Sequence, residues 1–346
     1  MKVGIIGIGF MGMIHYLSYQ KLQGVKVAAI CTPEEERLAG DWREIKGNFG
    51  PPGQMMDLSG IAKYREADEL LADPNVEVVD ICLPPGLHAE MTIKALRAGK
   101  HVFCEKPMAL SSDECRQMTA AAEEAGKLLM IGHVLPFFPE YAWAYKAITS
   151  GEFGALLGGN FKRVISDPQW IPNFYNPQRI GGPMLDLHVH DAHFIRLLFG
   201  MPVSVTSQGR MRGEVVEYWN TQFAFEDSSL AVAATSGVIR QQGRSFTHGF
   251  EIHLEKATLQ YEFAVVGDDA RVLMPLTVFD ADGKAIQPEL EAGDPTSAFE
   301  AEIAEVTRAV KSGENSPILA GSLAEDAVLL CHKQTESVRT GKPVRV

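Results

Sequence analysis

One stretch near the start of the chain limits its fold more than any other. Lys2–Gly7 is a short apolar run ending in glycine, Gly7-Ile8-Gly9-Phe10-Met11-Gly12 follows, and Ile14, Leu17 and Leu22 continue at helical spacing. A second apolar run, Val25–Ile30, comes next. Strand, glycine-rich turn, helix and strand within roughly 30 residues is the setting in which a GxGxxG turn holds a dinucleotide. Gly7 makes the tight turn, Gly9 lets backbone N–H groups approach a pyrophosphate, and Gly12 lets helix and strand pack closely. The acid that grips the adenosine ribose usually ends the second strand, about 20 residues after the last glycine. Here that end reads Ile30-Cys31-Thr32-Pro33-Glu34, so Thr32 stands where an aspartate is expected for NAD. An uncharged residue removes repulsion of a 2′-phosphate. The cofactor is therefore read as NAD or NADP, with a lean to NADP. Arg37 and Arg43 are the nearest cations, and Glu34–Glu36 are either ribose partners or first-turn acids of a helix.

The first half continues in the same alternation. Tyr64–Leu71 reads as a short helix, and Val76–Leu83 as a near-continuous apolar run of the kind buried parallel strands carry. It ends in Pro84-Pro85-Gly86-Leu87-His88 before the helix Ala89–Ala98. The strand Lys100–Cys104 ends in Glu105-Lys106-Pro107, before the helix Asp113–Ala125 and the strand Leu128–Gly132. In an open α/β sheet, ligands sit at the carboxyl ends of the strands. Gly7, Gly9, Phe10, Met11, Gly12, Thr32, Leu83, Pro84, His88, Glu105 and Lys106 are thus the cofactor candidates. Lys106 precedes a proline, which constrains its backbone and makes the bond a cis candidate. A lysine held there can bond a substrate oxygen and polarise it.

From Ala155 the period changes. Leu156–Ile165, Val203–Met211, Val215–Glu226, Leu230–Val238, Gly249–Leu254 and Thr258–Phe263 read as strands, some with no helix between, which implies an antiparallel sheet in a second domain. Trp170–Gln178 is an aromatic, Asn- and Pro-rich loop that can close over a ligand with aromatic faces and amide hydrogen bonds, with Trp170, Asn173 and Tyr175 as substrate candidates and Arg163 as a weaker one. Then Gly181-Gly182-Pro183 opens a helix that Gly200 and Pro202 end. At helical spacing Asp186, His190 and His193 share one stripe between apolar shoulders. His190 suits proton exchange with a hydroxyl, and Asp186 one turn earlier can orient it. His188 and His190 diverge by about 160° on a helix, so they are not read as metal ligands, and no metal is expected. Ala298–Ser312 and Leu319–Thr340 read as amphipathic helices, the last packing back near the first domain.

"DICLPPGLHAEMTIKALRAGKH" followed by "GKHVFCEKPMAL" closely resembles the Gfo/Idh/MocA oxidoreductases, and the resemblance returns at Gly181–Gly200, which is similar to that family's "GG…D…H" helix. The resemblance implies an N-terminal Rossmann domain, residues 1–130, and a C-terminal α/β domain with an open, mainly antiparallel sheet, residues 131–346. It implies hydride transfer between NAD or NADP and a carbinol or carbonyl carbon of a sugar, inositol or related polyol. It also implies a homodimer or homotetramer built through the C-terminal sheet. The family's EKP lysine matches Lys106, and its catalytic histidine and aspartate match His190 and Asp186. Two positions depart from the pattern: His193 stands where many members carry aspartate, and Pro136 where many carry arginine. A non-catalytic sensor that binds cofactor and sugar on the same fold is the alternative, against which the retained Lys106 and His190 speak.

Charge narrows the partners. Lys+Arg 32 against Asp+Glu 44 gives −12 with no basic block, a poor match for nucleic acid or anionic membrane. Cys31, Cys82, Cys104, Cys115 and Cys331 are scattered and read as reduced thiols; with no secretory signal pattern, a cytoplasmic protein is expected.

Overall fold

The first apolar run becomes a strand with four of its five residues buried, and the glycines turn the chain straight into a helix. This computed structural model describes every residue except Asn48, Trp170, Pro172, Ala292 and Pro295. β1 (Lys2–Ile6), β2 (Lys26–Cys31), β3 (Ala62–Tyr64), β4 (Val78–Ile81), β5 (His101–Glu105) and β6 (Leu129–Gly132) form one sheet in the order β3-β2-β1-β4-β5-β6, all parallel. That order reverses between β1 and β4, the switch point at which such sheets bind dinucleotides. The helices between are α1 (Phe10–Lys21), α2 (Glu35–Leu38), α3 (Ala67–Ala72), α4 (His88–Arg97) and α5 (Ser112–Ala125). The start of α5 is fixed by a capping box: Ser111 Oγ accepts from the Glu114 N–H and Glu114 Oε2 accepts from the Ser111 N–H. Tyr64, read as the start of a helix, instead ends an edge strand, Ala62–Tyr64, beside β2, and the helix begins only at Ala67. Pairing with β2 overrides the weak local preference of three residues.

The second half supplies α6 (Pro139–Thr149), β7 (Leu156–Ser166), α7 (Val189–Phe199), β8 (Ser204–Arg212), β9 (Val215–Ala224), β10 (Ala231–Ile239), β11 (Arg244–Leu254), β12 (Ala257–Val266), β13 (Asp269–Asp280), β14 (Ala285–Ile286), α8 (Ser297–Ser312), α9 (Gly321–Thr340) and β15 (Val344–Arg345). Its nine strands run β14-β13-β12-β11-β7-β10-β9-β8-β15, antiparallel except for the β7–β10 pair. β13, β14 and β15 were not foreseen. The first half of β13 is exposed and mixes charged with apolar residues, so it shows no clean two-residue alternation.

The chain divides into two compact units: Met1–Phe137 with Ala292–Glu325, and Phe138–Glu291 with Asp326–Val346. The sequence suggests a single cut after residue 130. In the structure the chain returns: Ile303, Val306 and Ala309 of α8 share a core with Tyr16 and Tyr19 of α1, Val27 and Phe103. The helix that returns to the first unit is thus α8, with the first turn of α9. From Asp326 onward α9 packs in the second unit, where Thr221 Oγ1 donates to Gln334 and Ser337 Oγ accepts the Ser207 N–H. Among the described residues no helix is long and apolar enough to cross a membrane.

Candidate active site

In the first unit the glycine turn has the shape of an anion cradle. Gly7 has φ +96°, and a Cβ there would lie 2.6 Å from the Cys82 carbonyl. A Cβ on Gly12 would collide with the Gly7 carbonyl, whereas one on Gly9 would meet nothing within 4 Å. Gly9 therefore borders open space at the start of α1. It caps the helix without a side chain, and the first turn holds no acid, so the leading N–H groups are available to an anion. This cradle fits the pyrophosphate of a nicotinamide dinucleotide. Phe10 and Met11 are half-buried beside it, and Phe10 meets Phe49 edge-on at 4.8 Å.

At the end of β2, Thr32 is buried and its hydroxyl donates to Glu34 Oε2. That bond, ahead of the neighbouring Arg37, holds the Glu34 carboxyl below the usual range. Glu34 is 43% exposed and pairs with Arg37 at 3.3 Å. The acid at this strand end is thus Glu34, two residues beyond the expected position.

Leu83 and Pro84 follow β4 at the same edge. His88, expected among the cofactor contacts, is wholly buried, with Nδ1 2.8 Å from the Pro107 carbonyl and Nε2 2.8 Å from the Leu83 carbonyl. It staples the turn after β4 to the turn after β5, and burial pushes its pKa down. Glu105 is also turned inward, with Oε1 3.1 Å from His15 Nε2 and Oε2 accepting the Lys106 N–H at 3.0 Å. Burial would raise its pKa, but the His15 bond and charge, with Lys106, outweigh burial and hold it below the usual range. Lys106 follows as a half-buried residue at the carboxyl end of β5, and the Lys106–Pro107 bond is cis.

In the second unit, Gly181 and Gly182 both have positive φ, and the chain then enters a π-helical turn, Met184–His188, before α7. Between Pro183 and Ile195 only Asp186 and His190 keep partial exposure. His193, expected on the same exposed stripe, is wholly buried, so it offers no surface to a substrate in this conformation. His190 and His193 both lie in α7, three residues or about 60° apart, and only the His190 side of that stripe keeps exposure. His188 is buried with Nδ1 2.8 Å from the Ser236 hydroxyl, and burial pushes its pKa down to about 4. Asp191 accepts two bonds from the buried Arg163 guanidinium, 2.7 and 3.1 Å, which engages Arg163 internally. Tyr175 donates to Asp167 at 2.7 Å while Arg212 lies over its ring at 3.7 Å. Asn173 is exposed with φ 61°. Trp170 lies outside the described residues. Asp167, Gln169, Arg212, Glu217 and Arg240 help line a polar groove of about 410 Å³ that neither Asp186 nor His190 lines.

One group escaped the sequence reading. His15 and Tyr19 of α1, Asp80 of β4, Glu105 and Glu302 of α8 form a buried ionisable cluster in the first unit. The available signals were an aspartate inside the apolar run VVDIC, a histidine three residues after Gly12, and a glutamate on the apolar face of α8.

Comparison with known proteins places this architecture. A model of the GFO_IDH_MocA oxidoreductase family, NAD-binding Rossmann fold, matches residues 1–133, and the model of the family's C-terminal domain matches residues 141–260. The chain belongs to the Gfo/Idh/MocA family. It is an NAD(P)-dependent oxidoreductase with a Rossmann unit and a second, mainly antiparallel unit. Among relatives, 1,5-anhydro-D-fructose reductase of Ensifer adhaerens is 30% identical over 285 residues, 78% of this chain and 79% of that protein. The scyllo-inositol 2-dehydrogenase (NAD(+)) of Bacillus subtilis is 25% identical over 358 residues, covering 100% and 96%. The fold matches the crystal structure of an aldose-aldose oxidoreductase from Caulobacter crescentus complexed with glycerol at a TM-score of 0.80 and 22% identity, over 100% of this chain and 99% of that one.

Proposed function

We propose that this enzyme moves a hydride between a nicotinamide cofactor and a carbinol or carbonyl carbon of a sugar, inositol or related polyol. The observation that carries the reading is selective exposure: in two otherwise buried segments, Lys106, Asp186 and His190 keep surface. When bound, the nicotinamide supplies or accepts the hydride. Lys106 donates a hydrogen bond to the reacting oxygen and polarises it. His190 takes the hydroxyl proton in oxidation and returns it in reduction, and Asp186 orients its ring. Gly7, Gly9 and Gly12 shape the pyrophosphate cradle, and Leu83 and Pro84 border it. The acid at the end of β2 supports NAD over NADP: Glu34 accepts from ribose hydroxyls and repels a 2′-phosphate, which replaces the lean drawn from Thr32 alone. A homodimer or homotetramer through the nine-stranded sheet is supported by the exposed Val272, Leu273, Phe279 and Ile286 on β13 and β14.

The test is a 340 nm assay with NAD and NADP against myo-inositol, scyllo-inositol and 1,5-anhydro sugars. Lys106→Ala and His190→Ala should each cut kcat by roughly a hundredfold or more while NADH affinity stays nearly intact. Near-normal turnover in either variant overturns the assignment.

A further inference from the structure

Beneath the cradle, His15 is held from both sides. Its Nδ1 lies 2.9 and 3.1 Å from the two Asp80 oxygens, and its Nε2 lies 3.1 Å from Glu105 Oε1. The Nδ1 contacts are hydrogen bonds, whereas the Nε2 contact is an ion-pair approach outside hydrogen-bond geometry; a buried ring with a carboxylate within 3.1 Å of each nitrogen is held as an imidazolium by charge. Burial alone would push the His15 pKa down, yet the charge and hydrogen bond of Asp80, with Cys82, raise it well above the ordinary value. The remaining Glu105 oxygen accepts the Lys106 N–H at 3.0 Å. A continuous chain of contacts thus runs from Asp80 through His15 and Glu105 to the main chain of Lys106. Phe103 stacks on the His15 ring at 5.3 Å and helps fix its plane.

We propose that His15, acting through Glu105, is a positioning residue for Lys106: the Asp80–His15–Glu105 relay fixes the turn from which the Lys106 ammonium projects. The other titratable groups facing the ring do not supply its charge balance. Tyr19 and Glu302 are buried and pushed up, so both are neutral, and the Cys82 thiol is pushed up by burial and by Asp80. His15, Asp80 and Cys82 have ligand atoms within 4.8 Å of one another, the spacing of a metal cluster. The protonated thiol and a ring nitrogen shared between both Asp80 oxygens argue for a proton there instead. Two anions, Asp80 and Glu105, are balanced by the imidazolium and the Lys106 ammonium, which ties the buried cluster to the site.

The kinetic consequence rests on the reading of Lys106 as catalytic, so the experiment has two arms that do not need turnover. The full chain, labelled with ¹⁵N-histidine, is followed by two-bond ¹H–¹⁵N spectra from about pH 6 to about pH 9. One histidine should keep both ring nitrogens protonated well past the ordinary histidine range, disappear in His15→Gln, and titrate markedly lower in Asp80→Asn. In the second arm an N-hydroxysuccinimide ester acylates the native protein, and peptide mass spectrometry reads Lys106 against Lys94 as an internal reference. Glu105→Gln, a near-isostere, should speed Lys106 acylation about threefold or more as the turn loosens, with folding checked by circular dichroism. In the kinetic arm, Glu105→Gln should lower kcat about tenfold with KM and the NADH Kd within about threefold of wild type. No doubly protonated ring at about pH 8, unchanged Lys106 acylation in folded Glu105→Gln, or a stoichiometric metal at His15 overturns the proposal. If both turnover-free arms succeed and no polyol turns over in any protein, the positioning role stands and the assigned reaction falls.

Discussion

Glu302 offers a thermodynamic test of the buried cluster. It sits on α8 beside Phe299 and Ile303, wholly buried, and neither carboxyl oxygen has a hydrogen-bond partner among the described residues. Burial, then the charge of Glu105, pushes its pKa well above the carboxylate range, and His15 opposes this only in part. The folded chain therefore keeps a proton that the unfolded chain releases above about pH 4.3. From there upward the unfolded state binds fewer protons than the folded one, so stability falls as pH rises until the folded-state value is passed. While the folded chain keeps its proton the slope approaches about 1.4 kcal/mol per pH unit, or roughly 3 kcal/mol between about pH 5 and about pH 7. Glu302→Gln keeps the shape and removes the titration. In a unit of this size ~1 kcal/mol moves Tm by ~2–4 °C, so the gap between variant and wild type should widen by roughly 5–10 °C over that range. A fixed penalty for burying an unpaired amide shifts the variant's curve without tilting it. His15, whose folded value is raised, stabilises below about pH 6.5 and loses that contribution as pH rises through the folded value; both proteins share this loss, so it largely cancels. Calorimetric melts across the range give the readout, and parallel Tm-against-pH curves for the two proteins would refute the reasoning.

Three further outcomes are expected. Gly9→Ala should leave Tm within a degree or two yet weaken NADH binding, because its Cβ enters open space at the cradle; equal losses of both, read by melting and fluorescence titration, contradict this. Glu34→Gln should raise the NADH Kd about tenfold and leave the NADPH Kd unchanged or lower, and a parallel change in both removes Glu34 from ribose recognition. Asp191→Ala should cost about 3–5 kcal/mol in urea unfolding by stranding the buried Arg163 charge, whereas the double change Arg163→Met with Asp191→Leu should recover most of it.

What the sequence made legible was what the backbone itself demands. Gly7 needs a positive φ, Gly12 admits no Cβ, and the apolar runs around them have the lengths of buried strands, so the cradle could be placed before any contact was known. The same holds for Lys106, which a strand end and a proline locate. The parts that stayed hidden depend on partners distant in sequence. An amphipathic helix announces that one face is buried but not against what, so α8 could not be assigned to α1 from its own residues. His88 lies where a cofactor contact belongs, and only the carbonyls of Leu83 and Pro107, brought together by the sheet, turn it inward. His193 failed differently. Helical spacing puts it within about 60° of His190 on α7, and which edge of that stripe is covered depends on the packing around the helix, which spacing does not show. The π-helical turn Met184–His188 falls at or beside the two residues that keep exposure, Asp186 and His190. π-helical turns interrupt regular hydrogen bonding and occur often at functional sites. A turn of that kind re-aims side chains without adding loop, which a rigid proton-transfer pair requires. Helical spacing thus found the pair that the proposed chemistry uses and overran it by one residue, His193, at the edge that packing covers.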